Sequence, residues 1–262
     1  MVEVNGYIIA PGANLNHADL SGGDLEQTLL SGADLSYANL SEANLEGADM
    51  SDAFLVRANL SDATLDGVSL NGANLDFTNL RGARLNGADL RGATMIGVNL
   101  TNADLSDADL TGAILTGAKF EGSNLDGVNL SRADLSHAYL RDHDLSFAIL
   151  KEANLSHSNL SDANISHADL SKANFSNANL WRADLSESDL NQANFEGANL
   201  TDARLDGTNM KGANLRRAVL AYASLCEANL SGADLTGADL WHAYLSDTKL
   251  KGATMPDDFD VK

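Results

Sequence analysis

The side chains best suited to chemistry in this 262-residue chain are six histidines, one cysteine and 37 carboxylates. His143 and Ser123 lie twenty residues apart, and a hydroxyl beside an imidazole is the beginning of a nucleophile and its base. His137 and His157 share that separation. Two imidazoles side by side start a metal site, although zinc asks for three or four ligands, and Asp134 and Asn154 sit three positions away. Cys226 has no second cysteine with which to close an internal disulfide. No phosphate-binding glycine loop or catalytic carboxylate pair is recognisable in the sequence. What the two pairs do depends on whether the chain returns to the same place after twenty residues.

Its path is written into two registers. Every fifth residue from Leu15 to Met255 is large and apolar, 49 positions without a miss: Leu in most, with Met50, Met95, Met210, Phe120, Phe175, Phe195 and Ile165 among the exceptions. Two residues earlier runs a small register from Ala13 to Ala253, Ala 37 times and otherwise Gly, Ser, Thr or Val, broken once by His143. The unit is A-[D/N]-L-x-x. A period of five suits neither regular element, because successive Leu residues would fall ~140° apart on a helix and on alternate faces of a strand. The chain must instead turn once per pentad, and Asn, Asp, Ser and Gly between the apolar positions favour turns. A chain that turns every five residues, with Leu and Ala always on the same side, winds into a solenoid closed by stacking its own coils.

Stretches such as Ala13–Leu20, A-N-L-N-H-A-D-L, and Ser231–Leu240, S-G-A-D-L-T-G-A-D-L, closely resemble the pentapeptide-repeat family, and the resemblance covers nearly the whole chain. It implies an all-β, right-handed parallel β-helix of quadrilateral section, with four pentads per coil, Leu and the small residue inward and the other three outward. On that reading residues 13–255 form one solenoid domain of about 12 coils and ~58 Å, since coils stack at ~4.8 Å. Residues 1–12, carrying Tyr7, Ile8 and Ile9, are expected to cap one end, and residues 256–262, with Phe259, the other. His143 and Ser123 then point into a filled core with no access for substrate, His143 as a structural outlier hydrogen-bonded by Ser123. His137 and His157 stack outside, and Cys226 is a free outward thiol. No cleft remains for a cofactor, a metal or an enzymatic reaction.

Function is therefore sought in the outer surface. The net charge of −20 is unevenly distributed. The side carrying Leu25, Leu45 and so on to Leu245 holds thirteen acids: Asp24, Glu26, Glu46, Asp66, Asp104, Asp107, Asp126, Asp144, Asp184, Glu187, Asp206, Glu227 and Asp247. Against them stand only Arg84 and Arg204, whereas the side of Leu30 to Leu250 balances seven acids with seven bases. An acidic face of this kind suits a protein partner with a basic surface and repels nucleic acid, for which no basic stripe exists. Some members of the family mimic duplex DNA at type II topoisomerases such as gyrase, in the manner of quinolone-resistance proteins, and this is the alternative reading. The charge density here is roughly half that of duplex DNA, and the pentads lack the interrupting loops of the longer members.

Trp181, Arg182, Tyr222, Trp241 and His242 fall on the Leu20-to-Leu240 side and form a candidate aromatic contact patch, with Tyr244 round the next corner. A second apolar group, Tyr37, Phe54, Val56, Phe77 and Ile96, lies on the Leu15-to-Met255 side. The resemblance implies a monomer or a homodimer through the C-terminal end, although the tail is too short for the helix that often serves such dimers. No stretch approaches a membrane span, and Met1–Ala10 has neither the basic start nor the apolar run of a signal peptide, so a cytoplasmic protein is expected.

Overall fold

The computed structural model describes residues 2–257, which form two compact units, one up to Asp134 and one from Leu135. The expected cap residue Phe259 lies outside the described residues.

Backbone hydrogen bonding explains why a pentad is the repeating unit, and Asp34–Asn39 shows the scheme. The Leu35 N–H donates to the Phe54 carbonyl at 2.7 Å, Tyr37 to Val56 at 2.9 Å, and Asn39 back to Ala18 at 2.9 Å, so each coil bonds to the one before and the one after. The Ala38 N–H closes a turn onto the Leu35 carbonyl at 3.0 Å. One donor is left, that of Ser36, and the Asp34 carboxylate two residues earlier takes it at 3.0 Å. A buried backbone N–H must find a partner, and this accounts for Asp or Asn before most Leu residues: the side chain closes an Asx-type turn. Asn side chains also bond to one another from coil to coil, as in Asn59–Asn39, Asn79–Asn59 and Asn99–Asn79.

Parallel bridges join residues twenty apart, from Asn14↔Asp34 to Ile114↔Asp134 in the first unit and from Tyr139↔Asn159 to Asp234↔Thr254 in the second. Bridge partners are four pentads apart, so each coil has four sides. Its corners lie at the second residue after each Leu, and every one of these from Gly12 to Gly252 has positive φ. Glycine fills only 20 of these 49 corners; the others are mostly polar, with Tyr37, Phe77, Phe147 and Tyr222 among them.

Leu15 to Leu130 are buried throughout the first unit, and Leu135 to Leu235 throughout the second. Leu240, Leu245, Leu250 and Met255, in the last coil of the repeats, are half-buried, and Pro256 just after them is buried. Phe175 and Phe195 stack in the core at 4.8 Å, as their twenty-residue spacing predicts. Hydroxyls in the small register are satisfied by carbonyls: Thr28 bonds to Leu25, Thr78 to Leu55, and Ser158 to Leu155.

At the N-terminal end, β1 (Val2–Val4) and β2 (Tyr7–Ile9) form an antiparallel hairpin. Asn5 and Gly6, both at positive φ, supply the tight turn such a hairpin favours. The Asn5 amide reaches the Ser21 carbonyl at 3.2 Å and ties the hairpin to the first coil. Ile9 is buried but Ile8 is 55% exposed, because adjacent strand residues face opposite ways. The lid therefore uses Ile9 and not Ile8. Gly23 interrupts the Ala register here because a Cβ would stand 2.7 Å from the Val4 Cγ1. Among the described residues no helix is long and apolar enough to cross a membrane.

Candidate functional site: the acidic face

One ladder of bridges carries the acidic face in each unit. In the first it runs Asp24↔Asn44↔Thr64↔Arg84↔Asp104↔Asn124, and in the second Asp144↔Asn164↔Asp184↔Arg204↔Ser224↔Tyr244. The thirteen acids divide by what their carboxylates do. Asp24, Asp104, Asp144 and Asp184 precede Leu and accept the N–H groups of Glu26, Ser106, Ser146 and Ser186 at 2.9 to 3.3 Å. They hold the coil. The Ser106 hydroxyl also bonds to Asp104, at 2.7 Å, and holds its carboxyl below the ordinary range.

Asp66 and Asp206 serve the same purpose from the coil before. Arg84 and Ser224 stand where Asp or Asn is usual and provide no carboxamide or carboxylate. The donors they leave, Asn86 N–H and Cys226 N–H, are taken at 3.2 and 3.1 Å by Asp66 and Asp206, each twenty residues earlier. Asp76 does the same for Ile96 at 2.9 Å, where Thr94 replaces the usual acceptor. The cue in the sequence is an acid just after Leu, eighteen residues ahead of a non-Asx residue at the pre-Leu position.

Seven acids remain: Glu26, Glu46, Asp107 and Asp126 in the first unit, and Glu187, Glu227 and Asp247 in the second. All are exposed. The face's two cations are already engaged by its structural acids, Arg84 with Asp66 at 2.6 Å and Arg204 with Asp184 at 3.1 Å. The exposed carboxylates thus keep their charge available to solvent.

The proposed aromatic patch resolves into two parts. Tyr222 and His242 stack at 5.4 Å, and Trp241 meets His242 edge-on at 4.6 Å, with Trp241 63% exposed. Trp181 lies apart from them, separated by the coil of Thr201 and Asp202, as the bonds Arg182 to Thr201 and Asp202 to Ala221 show. It is half-buried, not exposed, beneath the Arg182 guanidinium 4.9 Å from its ring, and Arg182 pairs with Asp162 at 3.4 Å. The twenty-residue spacing already places Trp181 two coils from Tyr222 and three from Trp241.

His143 is buried in the small register, as expected, and its Nδ1 donates to the Arg141 carbonyl at 2.9 Å. The turn it closes is long, 3.4 Å from His143 N to Leu140 O against about 3.0 Å at Ala138. The bulky ring lengthens a turn that Ala closes elsewhere. His137 and His157 stack outside at 5.0 Å. Among the described residues no group of three or more metal-ligating side chains gathers. Cys226 is free and half-buried, its Sγ 3.6 Å from the Ser224 hydroxyl.

The chain matches the family described as Pentapeptide repeats in 8 copies, in stretches that run from residues 13–52 to residues 213–252. No curated protein matches it. Among solved structures it is similar to HetL, a pentapeptide repeat protein involved in heterocyst differentiation regulation in the cyanobacterium Nostoc, at 32% identity over 96% of this chain and 92% of that one, with a TM-score of 0.39. A pentapeptide repeat protein of the Arabidopsis thaliana thylakoid lumen is 38% identical over 37% of this chain and 68% of its own, with a TM-score of 0.37. QnrB1, a plasmid-mediated fluoroquinolone resistance protein, is 19% identical over 69% of this chain and 92% of its own, with a TM-score of 0.48.

Proposed function

Because the chain belongs to the pentapeptide-repeat family, whose fold is the right-handed quadrilateral β-helix, we propose that it is a non-catalytic solenoid of about 12 coils that presents its acidic face to a basic protein surface. The observation that supports this is the division of labour among the thirteen acids. Six carboxylates hold backbone N–H groups, and the face's two arginines pair with two of those six. Seven others have no such duty and stand exposed on the same side of their coils. Structure alone does not require them to be acidic. Exposed charge of one sign steers a partner of the other, with a rate that falls as salt rises.

The test neutralises Glu46, Asp107, Asp126, Glu187 and Glu227 as Gln or Asn, and compares this variant with one in which exposed corner acids of other sides, Glu42, Asp52 and Asp202, are neutralised. Proteins captured by the wild type from its native cell extract should be lost with the first variant and retained with the second. They should also elute between roughly 50 and 300 mM salt. Capture indifferent to the substitutions and to salt would leave the face a solubility device. Purified gyrase, assayed for supercoiling with and without a quinolone, separates the DNA-mimic alternative from other basic partners.

A further inference from the structure

Within the first unit, the side opposite the acidic face carries a strip of exposed apolar residues on successive coils. Tyr37, Phe54 and Phe77 are about half exposed, at 49, 51 and 55%, and Ile96 and Ile114 are 37 and 38% exposed. The strip is continuous. The Tyr37 N–H bonds to the Val56 carbonyl, Phe54 bridges to Asp34 and Asn74, the Phe77 N–H bonds to the Ile96 carbonyl, and Thr94 bridges to Ile114. Four coil steps at ~4.8 Å make it about 19 Å long. Beside its first coils Gly12, Asn14, Gly32, Asp34, Ser36 and Phe54 line a shallow depression of about 410 Å³.

Scattered apolar side chains on a surface are ordinary, whereas five coils in succession on one side form a patch of the kind that marks an interaction site. None of these residues is needed at the pre-Leu or corner positions. Phe54 occupies a place where Asp or Asn would accept a backbone N–H, and Phe77 sits at φ 59°, a conformation unfavourable for a bulky side chain.

Charge selects the occupant. Asp34 and Asp76 lie within the strip and Asp52 at the corner before Phe54, against one base, Arg57, which is 5.5 Å from the Phe77 ring centroid. A second copy would bring the same excess of acids against its own. A basic, amphipathic helix meets no such repulsion. About 13 residues of helix span 19 Å, and its pitch of ~5.4 Å is close enough to the coil spacing for side chains at i, i+4 and i+7 to rest between successive rings.

We propose that this strip is a second docking surface, separate from the acidic face, for an amphipathic helix with apolar residues along one side and Lys or Arg along the other.

The probe is a fluorescein-labelled 14-residue peptide with Leu on one helical side and Lys on the other, compared with counterparts carrying Gln for Leu or Glu for Lys. Anisotropy is measured at about 150 mM salt. The Leu/Lys peptide should bind, and Phe54→Ser with Phe77→Asn should weaken it about tenfold or more. Glu46→Gln with Asp126→Asn on the acidic face should change it less than about twofold. Both counterparts should bind poorly. Circular dichroism confirms that the variants fold, as substitution of exposed residues should allow. The proposal is overturned if the Gln/Lys peptide binds as well, if the loss follows the acidic-face variant, or if the strip variant binds like the wild type. It is also overturned if sedimentation finds a wild-type dimer that the strip variant dissociates, which would assign the strip to self-association.

Discussion

Replacing Gly87 by Ala tests the backbone of the coil directly. Gly87 has φ 63°, and a Cβ placed there meets nothing within 4 Å, so the substitution changes conformational energy and little else. The left-handed region costs an L-residue roughly 1–2 kcal/mol, and loss of glycine's freedom in the unfolded chain returns about 0.4–1 kcal/mol. The net cost is about 1 kcal/mol. Gly32 and Gly232 are equally open, and because the three corners lie on no shared or neighbouring coils, the triple Ala variant should lose about 2–3 kcal/mol. Gly87→Asn should cost much less, since Asn tolerates this conformation. Gly72→Ala should cost more than Gly87→Ala, because its Cβ would stand 2.5 Å from an Asp52 carboxylate oxygen that must swing away. Urea denaturation followed by circular dichroism reads all of these as midpoint shifts. A Gly87→Ala protein as stable as the wild type, or more stable, would refute the left-handed corner.

Leu200→Ala should cost about 3–5 kcal/mol, because the fully buried side chain sits in a backbone bonded on both sides that has little room to collapse; Leu245→Ala, on the half-buried last coil, should cost much less in the same denaturation assay. The Ser21, Ser36, Ser106 and Thr236 hydroxyls hold the carboxyls of Asp19, Asp34, Asp104 and Asp234 below their usual 3.8. A lowered folded pKa gives stability that is complete above the unfolded value and is lost as pH falls through the folded one. Stability should therefore fall below about pH 4, and fall less steeply when the four hydroxyls are removed as Ala or Val, as acid titration at fixed urea would show. Sedimentation of wild type at about 100 µM against Trp241→Ser with Tyr222→Ser tests association through the exposed C-terminal aromatics; a dimer that survives the substitutions would refute it.

The inward residues were legible because burial imposes one rule on every fifth position, and Leu200 or Phe175 obeys it without reference to neighbours. The corners were written in the sequence less plainly. Gly fills 20 of the 49 and Asp, Asn and His many others, a left-handed signature obscured by Tyr37, Phe77 and Phe147. The Asn5-Gly6 pair is an equally plain hairpin signal. The duties of Asp66 and Asp206 were harder to see, since each supports a donor twenty residues later and takes its meaning from an absence at Arg84 or Ser224. Trp181 and Trp241 looked equivalent by count. Their difference in exposure comes from Arg182 lying over one ring and from the lack of a following repeat beyond the other.

A chain whose interior reads in fives and whose sides return in twenties obeys two rulers at once. Within either unit, deleting one pentad leaves every Leu and Ala on its inward station, so the interior barely registers the loss. The outer sides register it fully, because all that follows is rotated by a quarter turn and Glu46 no longer lies in line with Asp126. Deleting four pentads restores the alignment. The length of such a chain thus carries positional information: changes by fives test only whether it folds, while tolerance of twenties alone would reveal that its sides are being read.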